Sequence, residues 1–306
     1  MQKITHFMYC PFTGLGLYNG FRGNKWLKNR IKIFKQFVIP SLQAQTCQDF
    51  ILWVSWRQEE KTNKQVRELK IYLDDLGINN VFTYSGCCFY DDKYEDAEAR
   101  LRLVEAVHGA MGILLDEVGD VDSVLMTIQP SDDCYRKDVV KELQEDFERL
   151  DCNALGITRG YIMNYKTKEV REYNPTTNPP FYTLKFTKEV FIDPLEHIKF
   201  TGLKKEVNGY KIGTPIPSHE YVGNAMEYET TNDRVFLVGT HGANISTTWN
   251  IPFAGDTVDK SVLEEFGLDK VEPLKIKLPI KSKLYLSLPY RMQRKIRYWL
   301  TERFKI

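Results

Sequence analysis

Two adjacent carboxylates, Asp132 and Asp133, stand in the stretch "VLMTIQPSDDCYRKDVV" (124–140), after an apolar run and before a run of helical character. Like charges this close repel, so the pair calls for a partner. A divalent cation is one candidate. Carboxylate oxygens suit Mg2+ or Mn2+, and such an ion can bridge to a diphosphate and neutralise a nucleotide leaving group. A helix N-terminus is the other candidate: Ser131 or Asp132 would cap a helix beginning near Tyr135.

Three further segments could join that chemistry. "GTHGANIST" (239–247) sets His241 among small residues after an apolar strand. A neutral imidazole there can ligate a metal, meet a phosphate, or serve as a hydrogen-bonded structural residue. "PSHEYVG" (217–223) offers His219 and Glu220. A carboxylate entering a helix is placed to act as general base for a hydroxyl, or only to complement the helix dipole. "TGLGLYNGFRG" (13–23) follows the first apolar strand. Its glycines, with Thr13 and Gly14 leading, would let the backbone approach a nucleotide, and Arg22 would meet a phosphate or lie on the surface. The spacing is neither a dinucleotide fingerprint nor a P-loop.

These residues need a frame to hold them. Apolar runs at 4–10, 49–56, 79–85 and 123–129 predict strands, and helical periodicity predicts helices over 25–45, 61–77, 96–118 and 136–150, the third open to interruption near Gly109–Gly112. Pro40 is expected to bend or interrupt the first helix. Strand alternating with helix implies parallel strands with helical crossovers. In such sheets ligands gather at the carboxyl ends of the strands, which is where Asp132 and Asp133 fall. After Leu150 the rhythm changes. Residues 154–174 read as two strands around a polar turn, 175–186 as a Pro-rich loop, 218–228 as a short helix, and 233–247 as a strand running into a polar loop. Three segments follow: an α/β half over 1–150, an irregular half of the same domain over 151–270, and a tail over 271–306.

The segment "PFTGLGLYNGFRGNKWLKNRIKIFKQFVIPSLQAQTCQDFILWVSW" (11–56) resembles the opening of the rhamnosyltransferase family, whose members are GT-A-like glycosyltransferases. "PSDD" falls where that family carries its D-x-D-type motif, and "SHEYV" and "VGTHGANIST" resemble its later segments. The resemblance covers roughly residues 1–250. It implies a GT-A-like mixed sheet flanked by helices, with a nucleoside-diphosphate sugar held by the first half. It implies Mn2+ or Mg2+ at Asp132 and Asp133, with His241 as a late metal or diphosphate contact, and an acceptor bound by the second half. One departure stands out. Where such enzymes commonly read D-x-D-D, this chain reads Pro130-Ser131-Asp132-Asp133. Pro130 supplies no ligand, which leaves open a site resting mainly on one carboxylate or a reaction with little need of metal.

The expected activity is transfer of a sugar, with rhamnose suggested by the family, to a hydroxyl of a glycan or lipid-linked acceptor. Glu220 would be the base, and inversion is the simpler course. Two rivals stay open: a sugar-nucleotide nucleotidyltransferase, and a non-catalytic sugar-binding or scaffold protein with a decayed metal site.

Composition sets the remaining bounds. The chain has 306 residues, 42% of them apolar, and a net charge of +1, so nothing global suggests nucleic acid. The charge is unevenly placed. From Lys275 to Ile306 there are ten Lys and Arg against one acid, Glu302, giving the tail about +9 and the rest about −8. Within it Met292, Ile296, Trp299, Leu300 and Phe304 recur at near-helical spacing. Such a helix would lie on an anionic membrane surface or pack on the acidic body. Six cysteines include no C-x-x-C pair. The opening "MQKITHFMYCPF" lacks the apolar stretch of a signal peptide, and no run reaches the length of a membrane span. The expected compartment is the cytoplasm, with peripheral attachment at the inner face of the membrane through the tail.

Overall fold

The computed structural model describes residues 3–15, 23–84, 96–175, 181–201, 222–242, 244 and 249–275, with the single positions 288, 292, 295 and 296. The first half is built as its periodicity requires. Strands β1 (Ile4–Pro11), β2 (Ile51–Ser55), β3 (Asn80–Thr83) and β4 (Ser123–Ile128) lie parallel in the order β3-β2-β1-β4. Helices α1 (Asn24–Ile33), α2 (Ile39–Gln43), α3 (Lys64–Asp75) and α4 (Asp96–Val118) connect them.

Both faces of these strands are covered, so their apolar residues run consecutively rather than in alternation. Met8, Cys10, Leu52, Val54 and Leu125 face one side, where Leu27, Phe34, Leu69 and Leu143 pack on them. Phe7, Tyr9, Trp53, Val124 and Met126 face the other, against Val107, Leu114 and Phe191. A buried polar chain crosses this apolar centre: His6 Nε2 lies 2.7 Å from Thr127 Oγ1, which lies 2.7 Å from Thr183 Oγ1.

Pro40 does not end the first helix, but the regular α-helical turn is interrupted just before it. A π-helical turn over Phe34–Val38 precedes it and α2 continues through it. The wider turn takes up the hydrogen bond and the space that a proline denies an α-helix.

The second half joins the same sheet. After β5 (Cys134–Tyr135) and α5 (Val139–Arg149) come β6 (Ala154–Asn164), β7 (Glu169–Tyr173) and β8 (Tyr182–Thr187). β8 lies between β4 and β6 and is antiparallel to both, which makes the sheet mixed. The Pro-rich stretch expected as loop therefore ends in a central strand. Past Pro180, Tyr182, Leu184 and Phe186 are buried and Lys185 is only half-buried, a short alternation hidden behind the prolines. Helices α6 (Lys188–Ile192), α7 (Pro194–Thr201) and α8 (Val222–Ala225) follow, then β9 (Tyr228–Thr240), β10 (Ala254–Val258) and α9 (Val262–Glu265). β9 runs parallel beside β6 and antiparallel to the short β5. The described strands form one mixed sheet flanked by helices, in agreement with the α/β expectation.

A third apolar cluster joins Phe37, Tyr165, Leu237, Phe266 and Leu274. Here the first residues of the expected tail lie on the body. The Leu274 amide donates to the Tyr165 carbonyl at 2.6 Å, Gln36 Nε2 to the Glu272 carbonyl at 2.7 Å, and Lys32 Nζ to the Lys275 carbonyl at 3.0 Å. The amphipathic run from Tyr290 lies outside the described residues except for single positions. Among the described residues no helix is long and apolar enough to cross a membrane.

Candidate functional site

The strand order β3-β2-β1-β4 reverses direction between β1 and β4, and open α/β sheets bind ligands at the carboxyl ends of strands at such a switch. The Gln129 amide donates to the Tyr9 carbonyl at 2.7 Å, so the chain leaving β4 stays beside the end of β1. Gln129 then holds the following turn through Nε2, which donates to the carbonyls of Pro130 and Asp133, each at 2.9 Å. Asp132 and Asp133 lie in this turn.

β9 completes the site from the far end of the chain. Its pairing with β5 sets Leu237 opposite Cys134, which brings Gly239 alongside the aspartates. The Gly239 amide donates to Asp133 Oδ1 at 2.9 Å. A side chain at Gly239 would overlap the Tyr165 ring and the Asp132 carbonyl oxygen, so only glycine lets the strand come this close. Tyr165 stacks flat on Phe37, with ring centroids 3.7 Å apart, and its hydroxyl donates to that same Asp132 carbonyl at 2.8 Å.

Three side chains converge on one oxygen, Asp132 Oδ2. Arg30 Nη1 forms an ion pair with it. His241 Nε2 lies 3.0 Å away and Asn244 Nδ2 3.3 Å away. Asn244 also fixes the turn that carries His241, accepting from the His241 amide at 2.9 Å and donating to the Gly239 carbonyl at 2.6 Å. The two carboxylates thus have different environments. Burial opposes charge on Asp132, but the Arg30 guanidinium and the His241 contact outweigh it and hold the carboxyl down at about 2. For Asp133, burial first and then the charge of Asp132 push the carboxyl well above its usual range. The repulsion between neighbours is eased because their surroundings shift the two carboxyls in opposite directions, Asp132 down and Asp133 up. His241 is shifted down, by burial more than the Asp132 contact raises it, so the imidazole is neutral. The Cys10 thiol at the end of β1 is pushed up, first by burial and then by the Asp132 charge.

Asp132, Asp133 and His241, read from the sequence as a metal set, are therefore brought together, but as a network closed by protein donors. A cation already sits on Asp132, Asp133 is engaged by a backbone amide, and His241 uses Nε2 on Asp132. As arranged, these residues do not fit a divalent ion. Among the described residues no group of three His, Cys, Asp or Glu side chains is disposed to hold one. The capping alternative is corrected too. The helix after the turn begins at Val139 with Asp138 before it, and neither Ser131 nor Asp132 caps it.

Thr13 and Gly14 follow β1 as expected but face inward. The amides of Phe12, Thr13 and Gly14 all donate to the Ser55 carbonyl, at 3.1, 3.2 and 3.1 Å. The Thr13 hydroxyl donates to the buried Glu60, whose other oxygen takes Arg57 Nη2 at 3.2 Å. A side chain at Gly14 would strike the Trp56 carbonyl, so this glycine admits the neighbouring loop rather than open space. Arg22, His219 and Glu220 lie outside the described residues.

Sequence reasoning missed Arg30, Asn244 and Tyr165. Arg30 had a signal: it falls three residues after Leu27 and four before Phe34, on the apolar face of α1, where an arginine needs an anion. Asn244 sat inside a segment singled out only for His241. Tyr165 had no local signal.

No family model matches the chain, and no curated protein matches it. Among solved structures it is similar to TarS of S. aureus. The structure of TarS residues 1–349 is 12% identical, with a TM-score of 0.38 over 77% of this chain and 60% of that one. The same fragment with UDP is 12% identical, with a TM-score of 0.36 over 78% and 60%. With UDP-GlcNAc it is 10% identical, with a TM-score of 0.41 over 81% and 62%. The chain spans less than two thirds of the length of these TarS chains.

Proposed function

We propose that this chain is a GT-A-like glycosyltransferase that moves a sugar from a nucleoside-diphosphate donor to a hydroxyl of a glycan or lipid-linked acceptor. The observation that carries the reading is the convergence of Arg30, His241 and Asn244 on Asp132 at the β1/β4 switch point. Fixed N–H groups and a guanidinium in a water-poor site are the means by which a protein stabilises a departing diphosphate. The family resemblance over residues 1–250 supports the same reading and names rhamnose as the first sugar to test.

In this reaction the acceptor hydroxyl attacks the anomeric carbon and the bond to the diphosphate oxygen breaks. Glu220 takes the hydroxyl proton, and one displacement inverts the anomeric centre. Arg30, held by Asp132, faces the charge that grows on the diphosphate. His241 and Asn244 hold Asp132 in place, so the guanidinium is oriented before the donor arrives.

The test is incubation of the full chain with a panel of nucleotide sugars that includes UDP-GlcNAc, the ligand of one TarS structure. Release of a nucleoside diphosphate from one donor is expected. Pyrophosphate release would mark a nucleotidyltransferase, and no turnover of any donor would leave a sugar-binding protein. Glu220→Gln should leave donor affinity unchanged and lower turnover by ~10²-fold or more, the scale for losing a general base. Normal turnover would move the base to Asp193 or Glu196.

A further inference from the structure

The geometry points to Arg30 as the resident cation of the Asp132 site, taking the place of a divalent metal ion there. This deepens the transferase reading and rests on it for the identity of the bound anion. Three observations carry it. Arg30 is 5% exposed and reaches Asp132 from the apolar face of α1, so the guanidinium is built into the packing rather than resting on the surface. The Asp132 oxygen it meets also takes His241 Nε2 and Asn244 Nδ2, and Asp133 Oδ1 takes the Gly239 amide. Finally, Pro130 and Ser131 precede the pair, so the turn offers no third carboxylate.

A buried ion pair is a poor source of stability, since desolvation consumes most of its attraction. A structural role alone therefore explains Arg30 badly. A guanidinium has five donors in a planar fork that matches phosphate oxygens, and it keeps its charge at any pH the fold survives. With one donor on Asp132 its orientation is fixed and the rest of the fork can address a diphosphate. A metal would supply the same positive charge, but at Asp132 Oδ2 it would compete with Arg30, His241 and Asn244.

The experiment titrates Mn2+ alone into the full chain, by calorimetry or by the loss of the free-ion paramagnetic resonance signal. A second titration uses UDP in EDTA and in Mn2+. Wild type should show no saturable Mn2+ binding below ~1 mM and equal UDP affinity in both buffers. Arg30→Met frees Asp132. It should gain one Mn2+ site and lose ~10-fold or more in UDP affinity in EDTA, the scale of one charge-assisted hydrogen bond. Arg30→Lys retains the charge, should fold wherever Met does not, and should still exclude Mn2+. Saturable Mn2+ binding to wild type that Asp132→Asn abolishes would overturn the inference, whatever happens to the variants at position 30. If UDP binds under no condition, the transferase reading falls, while the Mn2+ titrations still decide what occupies Asp132.

Discussion

His241 Nε2 and Asp132 Oδ2 stand 3.0 Å apart across 109 residues of sequence. An ionised carboxylate can only accept, so Nε2 carries the proton and His241 is the donor. His241→Ala should weaken nucleoside diphosphate binding by ~3- to 10-fold, because Asp132 and with it Arg30 lose one restraint. His241→Gln can place an amide N–H near the same oxygen and should recover much of that loss. Calorimetric titration of UDP into both variants checks the order. Equal loss in the two would mean that the imidazole itself meets the ligand.

Asp133 gives a pH test with a definite sign. Its folded carboxyl stands above the ordinary range because of burial and the Asp132 charge. Stability from this group is therefore complete below the unfolded value, about 3.9, and is lost as pH rises through the folded one. Asp133→Asn keeps an acceptor for the Gly239 amide and cannot ionise. It should be the more stable protein at pH 8, by on the order of 1–3 kcal/mol for a charge no longer buried, with the difference closing toward pH 4. Urea denaturation across that range reads it.

His6 should make the protein acid-sensitive well above the range where carboxylates titrate. Burial lowers its imidazole to about 3, whereas the unfolded chain takes up that proton near 6.5. Stability should fall as pH drops from 6.5 toward 3, by at most ~1.4 kcal/mol per pH unit. His6→Gln should flatten that slope, at a cost of about 1–2 kcal/mol at pH 7 for the disturbed bonds to Thr127 and beyond. Parallel slopes for the two proteins would show that His6 titrates normally in the native state.

Gly239→Ala places a methyl group on the Tyr165 ring and the Asp132 carbonyl. A cost of about 1–3 kcal/mol is expected from overpacking alone, and the displaced Asp132 should reduce donor affinity in parallel. Gly112→Ala meets open space in the middle of α4 and is the matching control, expected to be neutral or slightly stabilising. Guanidinium denaturation of the pair separates crowding from the general effect of replacing a glycine.

How much of this was written locally can be seen residue by residue. Strands β1 to β4 carry consecutive apolar residues, and the helices carry a 3.6-residue period, so β1 to β4 and their connections were legible within a few residues at each end. β8 was not, because Pro179 and Pro180 precede it and loop chemistry masked a short alternation. The aspartates and His241 stood out as polar residues following apolar strands. Their mutual arrangement did not, since it depends on β9 pairing with both β5 and β6, and no local pattern specifies a contact across a hundred residues. Arg30 was visible as a charge at a core position, but only the fold shows the carboxylate that answers it.

The place of β8 beside β4 has a consequence for how the chain is made. Until residues 182–187 leave the ribosome, β4 presents a row of unpaired amides and carbonyls along Val124–Thr127, the edge that β8 later closes. An open apolar edge invites pairing with other chains, and nascent or truncated forms are most exposed to it. A fragment stopping at Leu150 would contain β1 to β4 and still lack their seal. Expressed alone, it should self-associate through β4, whereas the full chain, in which β8 closes β4 and β9 closes β6, should not pair through these edges.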